Sequence, residues 1–135
     1  MKFYIASSFT NKEVVRSAAK SLIESGYTQT FDWTANLRAS TIGELKIFGG
    51  LERNAVLEAD FLIVILPDGK GSHIEMGIAI GQRKTVYLVS ERSEVFEFEV
   101  TSTFYHLPEV EILVGPIGDS IDKIQRIEQT SKSVQ

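Results

Sequence analysis

Two carboxylates, Asp68 and Glu75, flank a glycine-bearing loop near the middle of the chain. The loop follows a continuous apolar run, Phe61 to Leu66, and precedes an apolar pattern at helical spacing. This order predicts a buried parallel strand, a tight turn and the start of a helix. Because strand C-terminal ends and helix N-termini point into one crevice in an open α/β sheet, we expect both carboxylates to border a ligand. Paired carboxylates beside a crevice are typical of acid–base or glycosyl-transfer chemistry.

Glu75 has a catalytic and a structural interpretation. At a helix N-terminus its anion would be stabilised by the helix dipole, and it could attack an anomeric carbon to form a glycosyl-enzyme ester. Such a retaining mechanism needs two carboxyl groups about 5 Å apart. The stretch from Ser72 to Glu75 also has the Ser-x-x-Glu spacing of a capping box, in which both side chains bind helix amides. The spacing alone leaves both interpretations open.

The loop residues before Glu75 also have two interpretations. Asp68 could protonate a leaving base or hold a sugar hydroxyl, or it could be only the turn residue of Pro-Asp-Gly. Gly69 and Gly71 would let the loop backbone approach a ligand closely. Their spacing matches neither a Walker loop nor a Rossmann fingerprint, so this motif is weak evidence for phosphate binding.

Polar residues after the first two predicted strands could complete the crevice. Ser7 and Ser8 could hold a sugar or a 5′-phosphate through hydroxyls and amides, although Ser8, Thr10 or Asn11 could instead cap the helix that follows. Asp32 and Trp33 could hydrogen-bond to a nucleobase and stack on it, although Trp33, the chain's only tryptophan, could equally belong to the core.

The composition narrows the possible functions. The chain has 135 residues, 43% of them hydrophobic, which predicts one globular domain over residues 1–135. The net charge of −4 argues against a nucleic-acid polymer as partner, while a small anionic ligand can still bind backbone amides. With no cysteine and two histidines, we expect no metal site, no thiol nucleophile and no bound cofactor. Without a signal-peptide pattern or a membrane-spanning apolar run, we expect a cytoplasmic protein with no membrane partner.

Hydrophobic periodicity predicts alternating strands and helices that would position these residues. The five predicted strands are Phe3 to Ala6, Thr28 to Thr34, Phe61 to Leu66, Thr85 to Val89 and Val110 to Val114. The alternation predicts an α/β, flavodoxin-like three-layer sandwich with a five-stranded parallel sheet in the order 2-1-3-4-5. The predicted helix from Leu45 could be broken at Gly49-Gly50. Residues 90–108 could form an irregular strand or a loop over the site. The C-terminal residues, Thr130 to Gln135, should fray.

Three stretches carry a family resemblance: Tyr4 to Phe9, Leu51 to Asp60, and Pro67 to Gly77. The last contains Gly71-Ser72-His73-Ile74-Glu75-Met76-Gly77, which matches a Gly-x-x-x-Glu-hydrophobic-Gly motif. In these stretches the chain resembles the nucleoside 2-deoxyribosyltransferase family, including its nucleotide N-glycosidase relatives. The resemblance implies a flavodoxin-type fold, a nucleoside or nucleotide as the small-molecule substrate, and assembly into a homo-oligomer.

The resemblance also implies roles for individual residues. Glu75 would attack C1′ of a 2-deoxyribosyl group, Tyr4 would orient Glu75, and Asp68 would protonate the leaving base. Glu52 falls where the family's transferases tend to carry aspartate, so its role in handling the base departs from the pattern. Together with the candidates from the residue patterns, the predicted substrate contacts are Ser7, Ser8, Phe9, Asp32, Trp33, Glu52, Gly69, Gly71 and Ser72.

Three functions remain open on the sequence. The first is N-glycosidic bond cleavage or base exchange on a nucleoside or nucleotide, through a covalent glycosyl-Glu75 intermediate. Residues 101–115 contain no Asn-x-Met segment of the kind that completes a neighbouring subunit's site in the family's transferases, which favours hydrolysis. The second is a non-catalytic nucleotide-binding or signalling module that uses the same crevice. The third is a receiver or TIR-like interaction domain, which would need clustered acidic residues where this chain has Ser7 and Ser8.

Overall fold

Five parallel strands form one sheet in the order β2-β1-β3-β4-β5 in a computed structural model, which describes residues 1–134. The strands are β1 (Lys2–Ser7), β2 (Thr28–Gln29), β3 (Phe61–Ile65), β4 (Thr85–Ser90) and β5 (Val110–Val114). The helices are α1 (Lys12–Glu24), α2 (Ile42–Glu58), α3 (Lys70–Gly81) and α4 (Ile117–Val134). This architecture confirms the predicted α/β, flavodoxin-like fold and its strand order. Helix α4 continues beyond Thr130, where we predicted a frayed end, and Gln135 lies outside the described residues.

The two faces of the sheet carry separate hydrophobic clusters, because successive side chains of a strand point to opposite faces. Phe3 and Ile5 of β1 pack with residues of α1 and α4, whereas Tyr4 and Ala6 pack with residues of α2 and α3. Strand β3 is buried along its whole length, as a central parallel strand covered on both faces should be. The alternation sends the Tyr4 side chain to the face covered by α3.

Strand β2 is much shorter than the predicted strand from Thr28 to Thr34. It spans two residues, and a 3₁₀ turn, Trp33–Ala35, follows a few residues later. The Asp32 carboxylate starts this turn, because it accepts hydrogen bonds from the Thr34 amide, at 3.0 Å, and from the Thr34 hydroxyl. Local side-chain hydrogen bonds of this kind compete with strand pairing.

Helix α2 starts earlier than predicted and runs unbroken through Gly49 and Gly50. Thr41 determines its start, since the Thr41 hydroxyl oxygen accepts the amide hydrogen of Glu44 at 3.1 Å. Helix α1 ends near the predicted position, with Gly26 in the left-handed conformation (φ +98°) just beyond it.

The segment between β4 and β5 forms two 3₁₀ turns, Ser93–Phe96 and Thr103–His106, rather than a strand. Val95 and Tyr105 from these turns are buried against the cluster on the α2–α3 face. The segment therefore covers part of the sheet's C-terminal edge. No helix within residues 1–134 is long and apolar enough to cross a membrane.

Candidate active site

Helix α3 begins earlier than a cap at Ser72 would place it. Gly69 directly precedes the helix, and its amide donates to the Ser72 hydroxyl oxygen at 3.5 Å. Glu75 therefore lies in the second turn, with 8% of the residue exposed. The capping-box interpretation of Ser72 and Glu75 is wrong. The expected stabilisation of the Glu75 anion by the helix dipole is wrong too, because that effect falls off within the first turn.

Glu75 is held instead by Tyr4 of β1. The Tyr4 hydroxyl donates a short hydrogen bond to Glu75 Oε2, and Tyr4 is fully buried. A buried carboxylate is costly unless a donor satisfies it, and the phenol fills that need. The hydrogen bond fixes one carboxylate oxygen of Glu75 against the sheet.

A second carboxylate, that of Glu52 on helix α2, raises the pKa of both Glu75 and Tyr4. Burial raises the pKa of Glu75 to about 7, the Tyr4 hydrogen bond lowers it, and the Glu52 carboxylate raises it. Burial raises the pKa of Glu52, which is half-buried. Burial also raises the pKa of Tyr4, with further upward contributions from Glu75 and Glu52. These three residues form the Tyr4–Glu52–Glu75 cluster, in which the Glu52 carboxylate disfavours the ionisation of Glu75.

The raised pKa makes ionised Glu75 unfavourable for folding. Its carboxyl holds a proton up to about pH 7 in the folded chain, against an ordinary pKa of 4.5 in the unfolded chain. The folded state therefore binds more protons between these values, and the free energy of unfolding falls as pH rises through this window. We expect Glu75→Gln to be more stable than the parent at pH 8, by on the order of 3 kcal/mol, and equally stable at pH 4. Thermal denaturation at both pH values measures this, and an equal difference at the two would contradict the raised pKa.

Asp68 lies on the His73 flank of α3. Its Oδ2 is 3.3 Å from His73 Nδ1, and His73 Nε2 is 3.1 Å from the Tyr105 hydroxyl. Burial raises the pKa of Asp68, and the nearby His73 lowers it. His73 and Glu75 leave the helix on different sides, since two residues rotate a side chain by about 200°.

A cavity of about 550 Å³ opens on this flank. It is lined by Asp68, His73 and Tyr105, by residues at the C-terminal ends of β3 and β4 and in the segment after β4, and by one residue each of α1 and α4. No residue of the Tyr4–Glu52–Glu75 cluster lines it. The expectation that Asp68 and Glu75 border one crevice is therefore corrected: the loop separates them onto two flanks of α3.

Ser7 and Ser8 bind the protein's own backbone and side chains. Ser7 Oγ donates to the Ile65 carbonyl at 2.7 Å and accepts from the Asn11 side chain at 3.0 Å. Ser8 Oγ accepts an amide hydrogen at 3.4 Å within the 3₁₀ turn Phe9–Asn11, which leads into α1. Ser8 therefore caps this 3₁₀ turn rather than α1, whose N-cap residue Asn11 makes no capping hydrogen bond with its side chain. The Ser7 hydroxyl ties β1 to the end of β3.

Trp33 and Asp32 are also engaged in the fold. Trp33 Nε1 donates to the Ile5 carbonyl at 2.7 Å, and the ring packs against both core clusters. The Phe9 ring lies beside it, with 6.3 Å between the ring centroids. Asp32 caps its 3₁₀ turn and lines a shallow groove beside α1, away from the α2–α3 face that carries Glu75.

Gly69 and Gly71 lie in open surroundings, because a Cβ at either position would meet no atom within 4 Å. Gly69 caps α3, and Gly71 is an exposed residue of its first turn. Gly69 and Gly71 therefore form the start of helix α3, and no neighbouring atom lies close enough to exclude a larger side chain at either position.

Sequence reasoning did not find the contribution of His73 and Tyr105. His73 occupies a variable position of the glutamate motif, and Tyr105 lies in a segment without hydrophobic periodicity. Only the contact between their side chains, which stack at 6.3 Å between ring centroids, identifies them as a pair. Within residues 1–134, no group of three or more His, Asp or Glu side chains could hold a metal ion.

Comparison with solved structures shows a similarity of fold. No protein-family model matches the chain, and no curated protein matches it. Among solved structures, the CMP N-glycosidase BcmB of Clostridium botulinum is similar, with a TM-score of 0.68 and 17% identity. The match covers 93% of this chain and 99% of that chain. At this identity the likeness shows a shared fold, which by itself does not determine the function.

Proposed function

We propose that the chain is one nucleoside 2-deoxyribosyltransferase-like domain, residues 1–135, that cleaves the N-glycosidic bond of a nucleoside or nucleotide through Glu75. The observation that carries this proposal is the buried hydrogen bond from Tyr4 to Glu75, with the Glu52 carboxylate nearby. The similarity in fold to a CMP N-glycosidase supports it. Two neighbouring carboxyl groups are the parts that a retaining glycosidase uses.

Glu75 Oε1 is the oxygen that we assign to the attack. Tyr4 holds Oε2. Within the described side chains, Asp68 Oδ2 is the one sealed oxygen or nitrogen without a hydrogen-bond partner. Glu75 Oε1 also accepts no hydrogen bond, but it is not sealed as Asp68 Oδ2 is. It therefore keeps access to solvent. The Tyr4 hydrogen bond thus orients the carboxylate and favours its ionised, nucleophilic form.

The reaction proceeds in two displacements at C1′ of the sugar. Glu75 Oε1 forms a bond to C1′ while the C1′–N bond breaks, and the leaving base takes a proton from a carboxyl group. Water then attacks C1′ and gives a proton back to that carboxylate, and the ester bond to Glu75 breaks. An acceptor base in place of water would give base exchange by the same steps.

We assign the proton donor to Glu52, because it lies close enough to Glu75 and Tyr4 to influence the pKa of both. Burial raises the pKa of Glu52, which shifts it towards the protonated form that an acid needs. Asp68, to which the resemblance assigns this step, borders the cavity on the other flank of α3. The proposal therefore gives the proton transfer to Glu52.

Assembly into a homo-oligomer is part of the proposal. Helix α2, which carries Glu52, exposes several large apolar side chains that a second copy could cover. These residues are Ile42, Leu45, Ile47, Leu51 and Leu57.

A substrate panel tests the proposal. We expect purified protein to release free base from at least one member of a panel of nucleosides and 5′-nucleotides with ribose or 2-deoxyribose. Liquid chromatography of the reaction mixture measures the base. If no base is released while one nucleotide raises the melting temperature, the proposed enzyme is wrong, and the chain is a non-catalytic nucleotide-binding or signalling module.

A further inference from the structure

The cavity on the His73 flank of α3 has the size of a small-molecule site. Its volume of about 550 Å³ lies within the roughly 300–1,000 Å³ usual for ligand pockets. Apolar side chains from α1, β3, the 3₁₀ segment and α4 form much of its wall. They are Val14, Ile65, Leu66, Val95, Val100 and Ile117.

Asp68 brings an unpaired acceptor to this apolar cavity. Its side chain is 8% exposed, and Oδ2 is sealed from solvent without a hydrogen bond. A sealed acceptor without a donor costs free energy, and a donor arriving in the cavity would recover it. The carboxylate therefore points to a ligand that supplies N–H or O–H groups.

The donors closest to Asp68 are engaged with other groups. His73 Nδ1 lies 3.2 Å from the Gly69 carbonyl, with which it forms a hydrogen bond, and 3.3 Å from Asp68 Oδ2, with which it forms none. His73 Nε2 lies 3.1 Å from the Tyr105 hydroxyl. These contacts hold the imidazole beside Asp68 and leave Oδ2 without a hydrogen-bond donor.

The charge of the cavity favours a cation. Asp68, Glu91 and Glu94 line it, and Arg92 is the guanidinium among its lining residues. Arg92 Nη1 is bound to Glu94 at 3.2 Å, so its charge is already paired. A phosphate or carboxylate ligand would meet an excess of negative charge here, whereas an organic cation would be attracted.

We infer that this cavity binds an organic cation whose N–H donors bond to Asp68 and whose apolar body packs on Val14, Ile65 and Ile117. The site is independent of the proposed glycosidic chemistry, because no residue of the Tyr4–Glu52–Glu75 cluster lines it. An amidinium group matches Asp68 well, since its two N–H groups lie in one plane and can share one carboxylate.

Benzamidine is the probe, and benzamide is its neutral counterpart of the same shape. We expect calorimetry on the parent protein to show benzamidine binding at least tenfold more tightly than benzamide. Amide chemical-shift changes should centre on Asp68, Tyr105 and Ile117. Asp68→Asn should weaken benzamidine binding at least tenfold, while Glu75→Gln should leave it within twofold. Equal binding of the two probes, or shift changes centred on Tyr4 and Glu52, would overturn the inference.

A matched pair of surface variants keeps the test valid if Asp68→Asn fails to fold. Val100 lines the cavity and is 56% exposed, while Phe98 is 97% exposed and does not line it. Val100→Arg places a positive charge at the cavity and should weaken benzamidine binding at least fivefold. Phe98→Arg adds the same charge two positions away and should change binding less than twofold. Equal effects of the two variants would show that benzamidine responds only to overall charge, which also overturns the inference.

Discussion

We expect Glu75→Gln to lower the turnover number for base release by at least about a thousandfold, because it would remove the proposed nucleophile and with it the covalent route. The substitution preserves the size of the side chain, and the glutamine oxygen can still accept the hydrogen bond of Tyr4. The Michaelis constant should change much less, because the lost interaction is made in the chemical step. Steady-state kinetics on the best substrate of the panel measures both constants.

The opposite face of the sheet offers a matched control for this variant. Glu128 of α4 is 6% exposed, and its Oε1 accepts a hydrogen bond from the Tyr87 hydroxyl at 3.0 Å. This second buried tyrosine–glutamate pair lies apart from the α2–α3 face. Glu128→Gln should leave the turnover number within about twofold of the parent. If Glu75→Gln keeps a tenth or more of the parent activity, Glu75 is not the nucleophile.

Glu52→Gln has the second-largest expected effect, a loss of about 10²- to 10⁴-fold in turnover, because the leaving base then departs without a proton donor. Asp68→Asn should cost less than tenfold, since its carboxylate lies at the cavity on the His73 flank of α3, which no residue of the Tyr4–Glu52–Glu75 cluster lines. Side-by-side kinetics of the two variants on one substrate measures this difference. A greater loss in Asp68→Asn than in Glu52→Gln would return the proton transfer to Asp68, as the family resemblance implies.

The pH profile gives an independent measure of the role of Glu52. The Glu52 carboxylate raises the pKa of Glu75, so removing its charge should lower that pKa from about 7. Activity rises with pH as Glu75 ionises, and we therefore expect this rise to move to lower pH in Glu52→Gln. A rise that stays at the pH of the parent protein would show that Glu52 does not act on Glu75.

Most of the sheet was predictable because strands buried on both faces need continuous apolar runs. Strand β5 spans the predicted residues, and β3 and β4 each differ from the prediction by one residue. Strand β2 was overpredicted, since the Asp32 side chain caps a turn inside its apolar and threonine-rich pattern. The segment between β4 and β5 has no period to detect, because Val95 and Tyr105 are anchored from short 3₁₀ turns.

The candidate site was predictable only in part. The glutamate motif and the resemblance singled out Glu75 and Tyr4, which the structure joins by a hydrogen bond, while their catalytic roles stay predictions. The placement of Asp68 was wrong, because nearness in sequence does not determine the flank of a helix on which a loop side chain lies. Asp68 lies beside His73 on one side of α3, and the helical rotation carries Glu75 to the other. The separation of Asp68 from Glu75 depends on two tertiary contacts, that of Glu75 with Tyr4 and that of His73 with Tyr105.

The most direct test of the account is to look for the sugar on Glu75. Protein mixed with its best substrate is quenched in acid within the first turnover, digested and analysed by mass spectrometry. We predict that the peptide containing Glu75 carries the added mass of the glycosyl group and that the fragment spectrum locates it on Glu75. Base released in the first turnover without any adduct on that peptide, or with the adduct on another residue, would contradict the account.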